Sequence, residues 1–415
     1  MGENILLRNK HVLVSVGNSE HHNELNFIKE NFCGNVFTDA TTFNNYANES
    51  EDILIYVCGN IQQIYENIKN LQDYVVYVIK ELSTNYEFKP FNLISIGQVP
   101  INIHNAGVYF RNFFDSYDTN YFDRISKEHE FQVLTESNKT SNAFRNGIYL
   151  TKVQQISDED EVKFNLLRCS TNLNGPTDNF RSTDNLVIDK LNQTVKYFFD
   201  KPIEFNHVLA QTYLNKAEIS ENKNVERKAK ISAHSDKTKD MPQSALIAFC
   251  TFYENYSNDE FSDHKTKQIK KNGFDYCYND VSVLTRLHFK LKNMVSDPDL
   301  VKEFSVTLYP NSVFIISLST NRLYTHEIRP SVLPVDKIPT RMGYVVRCSK
   351  TKAVFRNDQV YVDEAGDYVK LTQPNNHDIK ELKQLYYDEN TTDEIINYGS
   401  VYFSLNSGDY TKPLI

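Results

Sequence analysis

The sequence predicts an α+β protein, with a small parallel α/β domain in front and a β-sandwich or jelly-roll-like barrel behind it. Three observations predict this. Over the first hundred residues, short β-branched runs alternate with stretches of helical spacing. From Phe205 to Val354, strand-like runs follow one another with few helices between them. The chain has 415 residues, more than one domain of about 100–200 residues needs.

The elements follow in order. Strands are expected at His11–Val16, Ile53–Val57, Tyr74–Ile79 and Asn92–Ile96, with helices at Glu24–Asn31 and Ile61–Leu71 between them. The turn Val16-Gly17-Asn18-Ser19 stands where parallel α/β folds bind ligands. A single glycine makes it an ordinary turn, and residues 1–120 read as a structural or partner-docking domain. Residues 121–204 read as a polar connector, with an acidic stretch at Asp158–Glu161 and a supporting helix at Asp184–Phe199. The barrel core, 205–354, carries strands at His207–Leu214, Ala245–Tyr253, Leu284–Leu291, Phe304–Leu308, Val313–Leu318 and Gly343–Cys348. Asn255–Asn272 is a charged insertion with loop character. The remaining 355–415 form a C-terminal extension with a helix at Asp378–Tyr387 and a strand at Ser400–Leu405.

Composition excludes several functions. Lys and Arg total 45 against 54 Asp and Glu, a net charge of −9, which removes the overall electrostatic footprint of a non-specific nucleic-acid binder. Glycine numbers only 13, and neither a P-loop nor a GxGxxG is present, so nucleotide-dependent phosphoryl transfer is not expected. Cys33, Cys58, Cys169, Cys250, Cys277 and Cys348 are scattered with no CxxC. They read as reduced core thiols of a cytoplasmic or nuclear protein. No apolar run approaches the roughly 18 residues of a membrane span. The opening Met-Gly-Glu-Asn-Ile-Leu lacks a signal-peptide core, and Leu6 replaces the Ser or Thr that myristoylation of Gly2 would want.

One constellation carries chemistry. Ala-His234-Ser-Asp236-Lys ends the strand-like run Lys230-Ile-Ser-Ala, and residues two apart on an extended chain point the same way. His326, after Val313–Leu318, supplies a third ligand. Two His and one carboxylate occupy one face of an Fe(II) and leave the other open to cosubstrate and O2. A His-x-Asp pair alone equally describes a satisfied histidine beside an aspartate. Arg341-Met-Gly343-Tyr-Val-Val-Arg347 adds the second requirement. Its two arginines share a strand face with Gly343 and Val345, which leave space for a ligand. Two inward arginines are costly unless they meet anions, and a guanidinium is the fork that grips a carboxylate such as that of 2-oxoglutarate. A solvated strand face is the plainer alternative for the arginines.

These residues resemble the AlkB-type branch of the Fe(II)/2-oxoglutarate-dependent dioxygenases. That family has a strand ending in His-x-Asp, a distal His preceded by Arg-Leu-x-x, and a following double-Arg strand. They correspond here to His234-Ser-Asp236, Arg322-Leu323-Tyr-Thr-His326 and Arg341-x-Gly-x-Val-x-Arg347. Gln211-Thr-Tyr213 stands in the place of the family's Asn-x-Tyr. The resemblance covers about residues 205–350 and implies a double-stranded β-helix (jelly-roll) core. It implies Fe(II) on His234, Asp236 and His326, with 2-oxoglutarate and O2 as cosubstrates. Arg341 would take the far carboxylate of 2-oxoglutarate, Arg347 would lie near its metal end, and Tyr213 and Gln211 would bond to it. Arg329 is a second candidate for the anion. Gly343 and Val345 stand where the family has Asn and Thr, and the His234–His326 gap is long for the family.

The expected reaction is hydroxylation of a substrate C–H bond, or oxidative demethylation. A protein or peptide substrate is slightly favoured by the acidity and by the extra domain, which offers a partner dock. An alkylated nucleic acid, with Lys223–Lys230 and His264–Lys271 lining a groove, and a small molecule stay open, as does a non-catalytic binding module.

Overall fold

A computed structural model describes residues 10–16, 22–47, 53–114, 119–134, 145–156, 161–169, 173–220, 223–254, 269–270 and 276–415. Within them the chain is a sheet-rich, mixed α/β protein with seven α-helices. The expected features at Gly2 and Leu6, Gly17–Ser19, Asp158–Asp160, and all of Asn255–Asn272 except Ile269 and Lys270 lie outside the described residues.

The N-terminal strands form one parallel sheet in the order Asn35–Phe37, His11–Val16, Leu54–Asn60, Val75–Thr84, Asn92–Ile94. A parallel sheet is covered on both faces, so its strands read as unbroken apolar runs. Val12, Val14, Ile55 and Val57 pack on Phe43, Ile61 and Ile64, while Leu13, Tyr56 and Cys58 face Leu25 and Ile28.

Two antiparallel sheets form the body. The large one runs Arg145–Thr151, His207–Tyr213, Arg341–Arg347, Leu246–Tyr253, Ser312–Ser317, Gly107–Phe110 through its centre. The small one runs Ile231–His234, Tyr324–Ile328, Arg286–Leu291, Glu303–Thr307. They share one core: Phe249 and Phe314 of the large sheet meet Phe289 of the small one edge-on, at centroid distances of 6.4 and 5.6 Å. The helix Ser182–Phe198 backs the large sheet through Val187, Leu191 and Val195.

Alternation along Arg341–Arg347 divides its side chains. Arg341, Gly343, Val345 and Arg347 line a cavity between the sheets. Tyr344 points the other way, and its hydroxyl donates to Oδ1 of Asp184 on the backing helix at 2.7 Å.

Several elements differ from expectation. Gly107–Phe110, within the span expected for the front domain, joins the large sheet. The expected connector also supplies Arg145–Thr151, whose buried Ile148-Tyr149-Leu150 is too short a run to stand out among polar neighbours. Thr351–Arg356, Gln359–Glu364 and Asp367–Lys370 form a meander, paired to Val162–Leu166, where only an extension was expected. Conversely, Ser400–Leu405 is not a strand. Its polar groups bond locally: Ser404 Oγ donates to Asp409 at 2.6 Å, Asn406 Nδ2 to the same carboxylate at 2.9 Å, and the Ser404 amide to the Tyr410 hydroxyl at 2.8 Å. Such side-chain bonds compete with a ladder. No helix among the described residues is long and apolar enough to cross a membrane. All six cysteines are buried and none forms a disulfide.

Candidate metal centre

His234 ends its strand directly opposite His326 on the neighbouring strand, so the ladder itself brings the two imidazoles together, 4.4 Å between ring centroids. Asp236 follows two residues later. Nε2 of His234 lies 3.6 Å from its Oδ1, and Nε2 of His326 lies 3.8 Å from the same oxygen. The three candidate ligand atoms all fall within 4.8 Å of one another, the scale of one ion's coordination shell.

Each group has its other valences occupied or enclosed. Nδ1 of His234 lies 2.9 Å from the Ser232 carbonyl; a carbonyl only accepts, so Nδ1 donates there and Nε2 is the nitrogen turned toward Asp236. Oδ2 of Asp236 accepts from Nε of Arg347 at 2.8 Å, leaving Oδ1 toward the histidines. Burial alone would raise the Asp236 pKa, but the Arg347 guanidinium and the imidazoles outweigh it and hold the carboxyl well below the usual range. Burial, then the neighbouring His234, presses the His326 pKa down to about 3. At neutral pH Asp236 is therefore ionised and His326 neutral, the forms in which such groups bind a metal ion. His326 is wedged against Phe249 and Phe289, its Nδ1 buried without a partner.

The cavity beside these groups measures about 100 Å³ and also holds the other expected residues. Tyr213 is opposite Arg341, and Gln211 is opposite Gly343. The Arg341 guanidinium lies on the Tyr213 ring at 4.0 Å, and the Tyr213 hydroxyl donates to Oε1 of Gln211 at 3.1 Å. Arg341 is buried, yet its Nη2 has no partner; the same holds for Nη1 of Arg347. An unpartnered buried donor costs about 1–3 kcal/mol, and an anion in the cavity removes that cost. Arg329 is not brought to this cavity: its side chain is 54% exposed and donates to Glu327 at 2.6 Å. A wider cleft of about 320 Å³ adjoins, sharing Tyr213, Ile328 and Arg341 with the cavity.

Sequence reasoning misses several members. Asn321 accepts from the Asp236 amide and donates to the Asp236 carbonyl, both at 2.9 Å. Thr251, opposite Gly343, places a buried hydroxyl without a partner in the cavity wall. Arg145, in register with Tyr213 on the far side from Arg341, also lines it. None has a local motif; only strand register gathers them.

A second acidic–histidine group lies elsewhere. His129 is bonded through both nitrogens, to Asp178 and Asp184, each at 2.7 Å. Both lone-pair positions are engaged, so this is a buried ion network and not an open metal site.

No protein-family model and no curated protein matches this sequence. Among solved structures, a Pseudomonas putida prolyl-4-hydroxylase is similar at 10% identity and a TM-score of 0.30, over 59% of this chain and 93% of that one. OsALKBH1 is similar at 12% identity and a TM-score of 0.32, over 59% of this chain and 98% of that one. At these scores neither likeness carries weight, and the functional reading rests on the His234–Asp236–His326 set and its cavity.

Proposed function

We propose that the chain is an Fe(II)- and 2-oxoglutarate-dependent dioxygenase on a double-stranded β-helix core. The observation that carries the proposal is the convergence of His234, Asp236 and His326 beside a buried, incompletely bonded Arg341. The order of the strands supports the fold. Of the thirteen strands described from His207 to Arg347, five form separate two- and three-stranded sheets, and the other eight fall in the large, small, large, small, small, large, small and large sheets in turn, a winding that suits a jelly roll.

The residues fit the group. Two neutral imidazoles and one carboxylate oxygen are the donor set of a non-haem Fe(II) oxygenase. Arg347 neutralises the spare oxygen of Asp236 and orients it. Arg341, stiffened on the Tyr213 ring, would bind the far carboxylate of 2-oxoglutarate, with Gln211, Tyr213 and Thr251 offering polar contacts along the way. Gly343 keeps that path open: a Cβ there would lie 3.1 Å from both Arg341 and the Tyr213 ring. Leu209, Phe249 and Val345 give the cavity apolar walls. The chemistry Fe(II) would supply there is coupled oxidation by O2, one oxygen atom going to 2-oxoglutarate, which gives succinate and CO2, and the other to the substrate C–H bond as a hydroxyl.

A protein or peptide substrate is favoured by the net charge of −9 and by the separate N-terminal sheet, which offers a docking module. The test is succinate formation by the purified protein with Fe(II) and 2-oxoglutarate, supplied with cell-extract protein, methylated oligonucleotides or nothing. Stimulation by protein is expected. Stimulation by oligonucleotide alone would reassign the substrate, and no succinate under any condition would remove the dioxygenase reading.

A further inference from the structure

We propose that Asn390, near the end of the C-terminal helix Asn376–Thr391, is a positioning residue that fixes the His234–Asp236 turn in its metal-holding geometry. The inference rests on the metal-centre reading above and extends it to a segment some 150 residues away in sequence.

The turn has no ladder to hold it. His234 is the last strand residue, and Ser235–Thr238 are irregular. An irregular buried backbone must find partners outside a ladder, and here the C-terminal helix supplies several of them. Oδ1 of Asn390 accepts from the Ser235 amide at 2.8 Å and from Nζ of Lys237 at 2.7 Å. One oxygen thus ties both residues that flank Asp236. The next residue of the turn is held by the same helix: the Thr238 amide donates to Oε1 of Glu389 at 3.0 Å, and the Thr238 hydroxyl donates to the same oxygen.

The helix end is itself anchored in a way that leaves little play. Two buried lysines grip this end through backbone carbonyls, one of which, that of Glu389, is among the last four that have no partner within the helix. Lys237 Nζ donates to the Tyr386 carbonyl at 3.0 Å, and Lys292 Nζ donates to the carbonyls of Glu389 and Thr392 at 2.7 and 3.0 Å. Cations at a helix C-terminus also meet the favourable end of its dipole. Lys237 therefore donates to the same helix twice, to the Tyr386 carbonyl and to Oδ1 of Asn390. Asn321, on the short helix Leu318–Leu323, holds the Asp236 peptide, so the turn is gripped by two separate elements through Asn321 and Asn390. Partners of this kind, which orient ligands without touching the ion, typically change metal affinity by about 10–100-fold.

The experiment titrates the metal-free full chain with Co(II), following its visible absorption bands and the heat of binding, with thermal melting recorded separately. The variants are Asn390→Ala, Asn390→Asp and Leu382→Ala. Asn390→Ala is expected to weaken Co(II) binding about 10–100-fold and to alter the absorption bands. Asn390→Asp keeps the acceptor oxygen beside Lys237 and is expected to restore both. Leu382, buried on the same helix, is the control: its truncation should lower the melting temperature and leave the affinity unchanged. Should Asn390→Ala not fold, Asn390→Ser, which shortens the side chain and keeps it polar, carries the same expectation. Unchanged affinity and bands in the Asn390 variants, or an equal loss in Leu382→Ala, overturn the positioning role while the metal centre stands. A wild-type chain that binds no Co(II) overturns both.

Discussion

His234 and His326 are direct cross-strand partners, and both present Nε2 to the same oxygen of Asp236, at 3.6 and 3.8 Å. A one-residue slip of either strand would send one imidazole to the opposite face, so the candidate metal set is built into the register. Replacing His234 or Asp236 by Ala is expected to abolish iron binding and 2-oxoglutarate-dependent succinate formation together. Calorimetric titration and a succinate assay check this, and full turnover in either variant would sink the assignment.

Arg341 should govern cosubstrate affinity separately from metal affinity. Its guanidinium is stacked on Tyr213 and lacks a partner at Nη2, and a hydrogen bond to a charged group is worth about 1.5–3 kcal/mol. Arg341→Ala is therefore expected to raise KM for 2-oxoglutarate by about 10–100-fold with Fe(II) affinity retained. Arg341→Lys keeps the charge, loses the planar fork and the stacking, and should fall between. Equal KM values for wild type and Arg341→Ala would mean that the carboxylate binds elsewhere.

Gly343 tests the space in front of that arginine. A side chain here meets Nη1 of Arg341 and the Tyr213 ring at 3.1 Å, tighter than ordinary contact, and both neighbours are packed. Gly343→Val is expected to weaken 2-oxoglutarate binding several-fold or more and to leave the metal set, deeper along the strand face, intact. Competition by a non-reactive dicarboxylate in the metal-loaded protein reads the first effect, and metal titration reads the second.

The parts legible in the sequence are those whose signal is local. His234 and Asp236 are two residues apart at a strand end, Arg341 and Arg347 share parity on one strand, and the N-terminal strands are unbroken apolar runs. Asn321, Thr251 and Asn390 carry no such signal: an isolated Asn or Thr gains its role only from the backbone folded against it. The same reasoning explains Arg145–Thr151 and the meander of Thr351–Lys370. Short strands with polar flanks become strands because a neighbouring edge needs a partner. Ser400–Leu405 has the apolar Val-Tyr-Phe run of a short strand, but local bonding around Asp409 claims its polar groups first.

The His129 network makes stability depend on alkaline pH. Burial alone would lower the His129 pKa, but hydrogen bonds to Asp178 and Asp184 and their charges overcome it and raise the group to about 9. The unfolded chain has the ordinary value, about 6.5. A folded-state pKa above the unfolded one stabilises the native state fully below about pH 6.5 and loses that stabilisation as pH rises through about 9. The network joins the helix Tyr121–Glu128 to the helix Ser182–Phe198, and Asp184 also holds Tyr344 behind the cavity strand. The urea midpoint of the wild type is therefore expected to fall between about pH 7 and pH 10. His129→Gln, which carries no ionisable ring, should start lower and change less over the same range. A wild-type midpoint that stays level while His129→Gln behaves identically would show that no buried imidazolium links these helices.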